Sequence, residues 1–399
     1  IENNDGKIIR HLASGVLGYK APSPFLKNSL EQSIVWDNKD DAGSYVDELG
    51  NVKIRVSLGL KAEYEKDLYH SPHLRVSNLP VMCATPEGLY VYQGLGRDHI
   101  RLFNSEGNYQ KTIYPFPASQ IKNVNGLKWW NAPDGNKHIA KESMYHQTLL
   151  TSGTTSGGGK NNRDGKAVTS LAFNSNRLAV TYEYLNRLTS EGNTGGLPLR
   201  GAEVCTRLPR RAFFPEIVGP DSTAFSPDGK ILYMTGYSWQ STHNGTGFGC
   251  VNAVLKLNYE SNEPPSIFVG EKDKSGNDDR HFEFPTSLDT DRLGNVYVSD
   301  FENNRIQIFE PSGKLLKSIK TSRPRKIAVH QKTGELYVFT WGGMRDSSPS
   351  KITIFSALPE IKEIKEDSFK FKTYNYYSGG NQTNIAFDSW SKDPSFWFA

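Results

Sequence analysis

The sequence predicts an all-β chain: a β-propeller of six full blades and part of a seventh, preceded by a small β-sandwich. Three observations predict it. The first is the stretch 284–320, which holds four short strand signals separated by tight turns. The second is the recurrence of that pattern along the chain at a spacing of about 40 residues, the length of one propeller blade. The third is composition: of 399 residues, 36% are hydrophobic and 12% aromatic, with 36 Gly and 21 Pro to serve many turns.

The stretch 284–320 sets the template. Pro285 and Thr286 open the first strand, which ends near Asp289. Arg292, Leu293, Gly294 and Asn295 form a turn, Gly allowing a positive φ and Asn tolerating one. Val296, Tyr297 and Val298, running to Asp300, have strong strand propensity. After the polar link through Asn303 and Asn304, residues Arg305, Ile306, Gln307, Ile308 and Phe309 alternate at period two. Pro311, Ser312 and Gly313 turn into the outermost strand, 315–319. The run Phe284-Pro285, then Gly294-Asn295-Val296-Tyr297-Val298-Ser299-Asp300, then Asn303-Asn304-Arg305-Ile306-Gln307-Ile308-Phe309 and Gly313 resembles an NHL repeat. The resemblance implies a propeller scaffold and is silent about chemistry, because this fold hosts binding modules and enzymes alike.

Residues 1–68 do not follow the blade pattern. Short alternating segments at 7–12, 33–37 and 52–58, with Trp36 as an anchor, predict a small sandwich. The segment from Trp36 through Asp37, Asp40, Asp41 and Gly43 into Lys53-Ile54-Arg55-Val56 resembles the Ig-like domain of flagellar hook-capping proteins. With the blades behind it, the arrangement is similar to secreted bacterial propeller proteins, which implies export to the cell surface or beyond. Asp37, Asp40 and Asp41 have calcium-ligand chemistry, but their spacing departs from the EF-hand loop and reads better as a solvated turn. His70 and His73 stand three apart without a third ligand, so they read as linker, and no metal or cofactor is expected.

The propeller is assigned to residues 69–399. Blades follow at 80–114, at 125–151 (irregular), from 168, at 222–257, at 284–320 and at 325–355, and a seventh opens at 384–398. Trp129 and Trp130 either fill the second blade or stack on a sugar. The seventh blade signal is cut short, which predicts either continuation past Ala399 or pairing with an N-terminal segment. The run Gly157-Gly158-Gly159-Lys160 lacks phosphate-loop spacing and reads as a flexible linker.

Net charge is +4 without a clustered basic run, which argues against nucleic acid, and no apolar run reaches the length of a membrane span. Cys205 and Cys250 either form one disulfide or stay as buried thiols, as does Cys83. Asn244 and Asn381 head glycosylation sequons.

In this topology the loops between second and third strands leave one face of the disc. The expectation is that four of them, at 93–99, 183–200, 236–250 and 341–350, are enlarged and gather Arg97, His99, Tyr184, Arg187, Tyr237, Trp239, His243, Trp341 and Arg345 on one surface. Trp239 and Trp341 suit pyranose stacking, and Arg187 and Arg345 suit carboxylates. The leading reading is a binding or assembly module for a glycan or partner protein, with further domains of the same polypeptide as additional partners. The alternative is a polysaccharide lyase, in which Tyr237 or His243 removes a proton alpha to a uronate carboxylate and Arg345 stabilises the charge.

Overall fold

A computed structural model describes residues 1–13, 17–19, 21, 23–41, 45–46, 49–56, 80–93, 99–139, 168–208, 217–237, 250–341, 350–369, 384–392 and 394–398. The chain divides into two compact units: Ile1–Tyr64 with Ser391–Pro394, and Glu65–Trp390 with Ser395–Ala399.

In the first unit the described residues pair only through isolated bridges, Glu2 with Lys53 and Ile8, and Lys39 with Tyr45, beside a single 3₁₀ turn at Leu49–Asn51. The expected sandwich is not seen among them. A sandwich strand buries alternate side chains, whereas Ile54 and Val56 are 75% and 76% exposed. The acidic turn is occupied by its neighbours: Asp41 Oδ2 meets His11 Nδ1 at 2.6 Å, and Asp37 lies 3.7 Å from Arg10.

The second unit is built from five four-stranded antiparallel sheets. The first comprises β1 (Val81–Thr85), β2 (Gly88–Gln93), β3 (His99–Phe103) and β4 (Tyr109–Tyr114). A separate hairpin follows, β5 (Trp129–Asn131) and β6 (Lys137–Ile139). The second sheet is β7 (Ser170–Asn174), β8 (Arg177–Thr181), β9 (Tyr184–Thr189) and β10 (Arg200–Glu203), and a short pair, β11 (Thr206–Arg207) and β12 (Ile217–Val218), lies after it. The third is β13 (Ser222–Phe225), β14 (Ile231–Thr235), β15 (Ala253–Asn258) and β16 (Ser266–Gly270). The fourth is β17 (Pro285–Thr290), β18 (Val296–Asp300), β19 (Arg305–Phe309) and β20 (Leu315–Lys320). The fifth is β21 (Lys326–Val329), β22 (Leu336–Thr340), β23 (Ser350–Phe355) and β24 (Glu363–Phe369), and a last pair is β25 (Ile385–Phe387) with β26 (Phe396–Phe398).

The first strands of successive sheets meet: β1 with β7, β7 with β13, β13 with β17, β17 with β21, and β25 with β1. Ala386 and Trp397 pack with Ala84, Leu89 and Phe103 on one side. Ile385 and Phe387 pack with Ala328, Phe339 and Ile352 on the other. The last pair therefore occupies the position between the fifth sheet and the first. Because β1 touches β7 directly, no blade stands between them. Of the irregular blade expected at 125–151, the described residues 125–139 form no blade of the ring, and the count among described strands is five full blades and one two-stranded position, which does not confirm six and a partial seventh.

Local chemistry accounts for the blades. In the fourth, Asp291 Oδ1 accepts N–H bonds from Leu293 and Asn295, both at 2.9 Å, and Gly294 takes φ +86°. That Asx-type turn fixes the register of β17 on β18. Strand β18 is buried throughout, while β20 alternates half-buried and exposed, as an outermost strand should. The inner strands have no further strand on their channel side, so side chains of adjacent blades satisfy their backbone groups. Ile327 N–H donates to Ser287 Oγ at 3.2 Å, Val329 N–H to Asp289 Oδ2 at 2.7 Å, and Thr290 Oγ1 to the Phe225 carbonyl at 2.7 Å. Among the described residues no helix is long and apolar enough to cross a membrane.

Candidate binding face

An up-and-down blade sends its second-to-third connection, and its exit to the next blade, to the same end of the ring. Residues 94–98, 238–249 and 342–349 lie in three such connections but outside the described residues, and with them Arg97, Trp239, His243 and Arg345. The fourth expected loop is different. Only Tyr182 and Glu183 join β8 to β9, and the long part, residues 190–199, joins β9 to β10 at the opposite end. The segment 184–189 is a strand.

That reassignment changes what two candidate residues do. Arg187 is fully buried. Its Nε donates to the Tyr259 carbonyl at 2.8 Å, Nη2 to the Ser261 carbonyl at 2.6 Å and to Asn262 Oδ1 at 3.1 Å, and Nη1 to the Pro198 carbonyl at 3.3 Å. It clamps the end of β15 from inside the second blade. Tyr237 is 1% exposed and donates its hydroxyl to the Val204 carbonyl at 2.9 Å, and burial raises its phenol far above the usual range. Tyr184 carries the Arg200 guanidinium over its ring at 4.9 Å. His99 opens β3 opposite Gln93, which is 1% exposed and whose two amide atoms have no hydrogen-bond partner among the described residues.

Trp341, immediately after β22, lies in a different setting. Two guanidiniums lie over Phe301: Arg323 at 4.8 Å and Arg325 at 4.7 Å from the ring centre. Arg325 is also 5.6 Å from the Trp341 ring, and its Nε donates to the Trp341 carbonyl at 2.9 Å. The result is a continuous ladder, Arg323–Phe301–Arg325–Trp341. Arg323 holds a left-handed φ of +39°, uncommon for a residue other than glycine, and its Nη2 reaches Glu302 at 3.2 Å. Strain of this kind concentrates at sites that need a fixed geometry. Beside the ladder is a cleft of about 340 Å³, lined among others by Lys320, Arg323, Thr340, Trp341, Lys351 and Glu366. Lys351 is paired with Glu366 at 2.8 Å, and Lys320 has no ion-pair partner among the described residues. The cleft thus offers ring faces, hydroxyls and, with Glu363 also in its lining, three cations to two carboxylates.

Of the five expected residues that are described, His99, Tyr184, Arg187, Tyr237 and Trp341, only Trp341 lines this cleft. The sequence reading missed Phe301, Lys320, Arg323 and Arg325. The signal was present: Lys320, Arg323, Arg325 and Lys326 crowd the connection between the fourth and fifth blades and its edges.

The three cysteines are free thiols, so Cys205 and Cys250 do not pair. Burial pushes Cys83 and Cys205 up to about 12 and Cys250 to about 11, which leaves them protonated and unreactive. On the inner strands, burial raises Asp289 to about 6 despite two backbone N–H donors, and lowers Lys326.

The NHL repeat model matches residues 282–309, confirming the resemblance in the fourth blade. Peptidylglycine alpha-amidating monooxygenase of Rattus norvegicus is 23% identical over 290 residues, 69% of this chain, which spans 28% of that relative's length. Among solved structures, a streptogramin B lyase matches at 13% identity and TM-score 0.38, covering 82% of this chain and 91% of the other. The virginiamycin B lyase of Staphylococcus aureus matches at 14% identity and TM-score 0.39, covering 82% and 94%. Likeness at this level concerns the fold and carries no reaction to this chain.

Proposed function

We propose that the propeller is a non-catalytic binding module, exported to the cell surface or beyond, whose ladder and cleft take an acidic glycan. The observation that carries this reading is the ladder itself. Guanidiniums already stacked on Phe301 and Trp341 lose little freedom when a carboxylate arrives, and an ordered cation is a better receptor than a mobile one. Lys320 adds charge, and Trp341 and the hydroxyls of Thr321, Ser322 and Thr340 suit a ring that is polar at its edge.

The lyase alternative asks for a base beside a cation. Tyr237 has its hydroxyl engaged in the interior, and among the described residues neither Tyr nor His lines the cleft; His243 lies outside them. Binding is therefore the better-supported reading.

The test is titration calorimetry of the full chain with polygalacturonate oligomers, run beside an absorbance assay for unsaturated uronate. Arg325→Ala is expected to weaken binding by about 1.5–3 kcal/mol, the loss of a charge-assisted bond. Trp341→Ala is expected to weaken it with little dependence on salt, because stacking is not screened as ion pairing is. Binding of an acidic peptide in place of every uronate oligomer would move the reading to a protein partner. Growth of absorbance would move it to the lyase.

A further inference from the structure

The hairpin β5–β6 is not accounted for by the ring or by the cleft. It follows the first blade, pairs Trp129 with Ile139 and Trp130 with His138, and joins no other described strand. An isolated two-stranded hairpin is only marginally stable, so its apolar side chains would ordinarily be buried for support. Instead Trp129 is 48% exposed and Trp130 54% exposed. Single exposed hydrophobics are unremarkable, but two adjacent tryptophans on one small hairpin exceed that background.

Period-two alternation separates the two faces. Leu127, two residues before Trp129, packs on the core cluster of the first two blades, so the face carrying Leu127 and Trp129 leads toward the ring. The other face carries Trp130 and His138 side by side, ring centres 6.0 Å apart and planes 32° apart. The turn that presents them is firmly made. Ala132 N–H donates to the Asn136 carbonyl at 2.8 Å, Gly135 takes φ +85°, and Asp134 accepts both the backbone and the side-chain N–H of Asn136 at 2.9 Å.

We infer that the Trp130–His138 face is a stacking platform for a neutral pyranose chain, separate from the acidic-glycan cleft. Two exposed rings 6.0 Å apart and tilted by 32° suit the apolar face of a pyranose, and indole and imidazole each carry an N–H group able to meet sugar hydroxyls. A membrane wedge fits less well. It would place its tryptophans at the tip, whereas the tip here is Pro133, Asp134, Gly135 and Asn136, and Asp134 is held below the usual carboxylate range by its bonds from Asn136 and stays charged.

The experiment is affinity gel electrophoresis of the full chain in gels cast with mixed-linkage β-glucan, galactomannan or dextran, with vesicle flotation on phosphatidylcholine. The wild-type chain is expected to be retarded in at least one of the three gels. Trp130→Ala is expected to weaken that retardation about tenfold, and Trp130→Phe, which keeps a ring, about threefold or less. Arg325→Ala should leave it unchanged, so that failure here and failure at the cleft are told apart. Circular dichroism matching wild type excludes misfolding as the cause. Retardation in none of the gels, equal retardation of wild type and Trp130→Ala, or flotation lost in Trp130→Ala would each overturn the platform.

Discussion

Asp300 and Arg305 face each other across the connection between β18 and β19, with Nε donating to Oδ2 at 2.7 Å and the carboxylate fully buried. Neither group stops at the other. Asp300 Oδ1 accepts the Glu283 N–H at 2.7 Å, and Asn303 Nδ2 donates to Oδ2 at 2.9 Å. The Arg305 guanidinium donates to the carbonyls of Asn277, Asp278 and His281 at 2.8–2.9 Å. One ion pair thus ties the entry into the fourth blade to that blade's own second-to-third turn.

Arg305→Ala is expected to destabilise the fold by about 3–5 kcal/mol, because it strands a buried carboxylate. Burial already raises Asp300 against the pull of its partners, so the carboxylate tolerates no loss of them. Asp300→Asn should be milder, since an amide retains the acceptor for Glu283. Urea unfolding of both variants measures the difference. Equal midpoints for wild type and Arg305→Ala would show the pair to be dispensable.

Arg187 offers a second measurement. Its removal leaves the carbonyls of Tyr259 and Ser261 without their donor and empties a buried space, for an expected loss of about 3–5 kcal/mol. Gly201 is the matching probe: a Cβ there would come within 2.7 Å of the guanidinium, so Gly201→Ala should cost about 1–3 kcal/mol by overpacking. Neither variant should alter the affinity of the folded protein for an acidic glycan. A lower thermal midpoint with unchanged titration would confirm that this arginine is structural.

The same residue shows where the sequence was legible. The fourth blade could be read almost residue by residue, because its strands and turns are local chemistry: Asp291 and Gly294 make the turn, and Val296 to Val298 fill the interior. Arg187 was misread because a strand with Asn186 and Arg187 in its middle looks like a loop. Arg187 is tolerated inside because the carbonyls just beyond β15 accept from it, and Asn186 because its Nδ2 donates to the Val180 and Tyr184 carbonyls of its own blade. The blade count failed for a related reason. Trp129 and Trp130 look like the opening of a blade, and only the long-range meeting of β1 with β7 excludes one. In the first unit, alternation at 52–56 resembles a strand, but no packed partner covers Ile54 and Val56. At the binding face, Trp341 was visible as an exposed aromatic candidate. Its arginine neighbours were not, because Phe301 and Arg325 come together only across two blades.

The last prediction concerns pH. His281 is 9% exposed and sits between two carboxylates, Nδ1 at 2.8 Å from Asp278 and Nε2 at 3.0 Å from Glu271. Only the imidazolium donates from both nitrogens, so the arrangement favours the charged ring, and Asp278 first, then Glu271, raises its pKa above 6.5. The two carboxylates are correspondingly lowered, Asp278 chiefly by the Arg280 N–H and then by His281, and Glu271 chiefly by His281. A raised histidine contributes stability that is complete below its unfolded value of about 6.5 and is lost as pH rises through the folded value. The lowered carboxylates contribute above their unfolded values and lose that contribution as pH falls through the folded ones. All three terms therefore coincide between the carboxylate range and the folded imidazole value, and the cluster should be strongest in mildly acidic solution. Because Arg305 bonds the His281 carbonyl, weakening the cluster should loosen the entry to the fourth blade. Thermal midpoints of wild type and His281→Gln, compared from pH 5 to pH 9, should differ most near pH 5.5 and converge at the alkaline end. A difference that stays constant or widens with pH would mean the imidazole is held neutral.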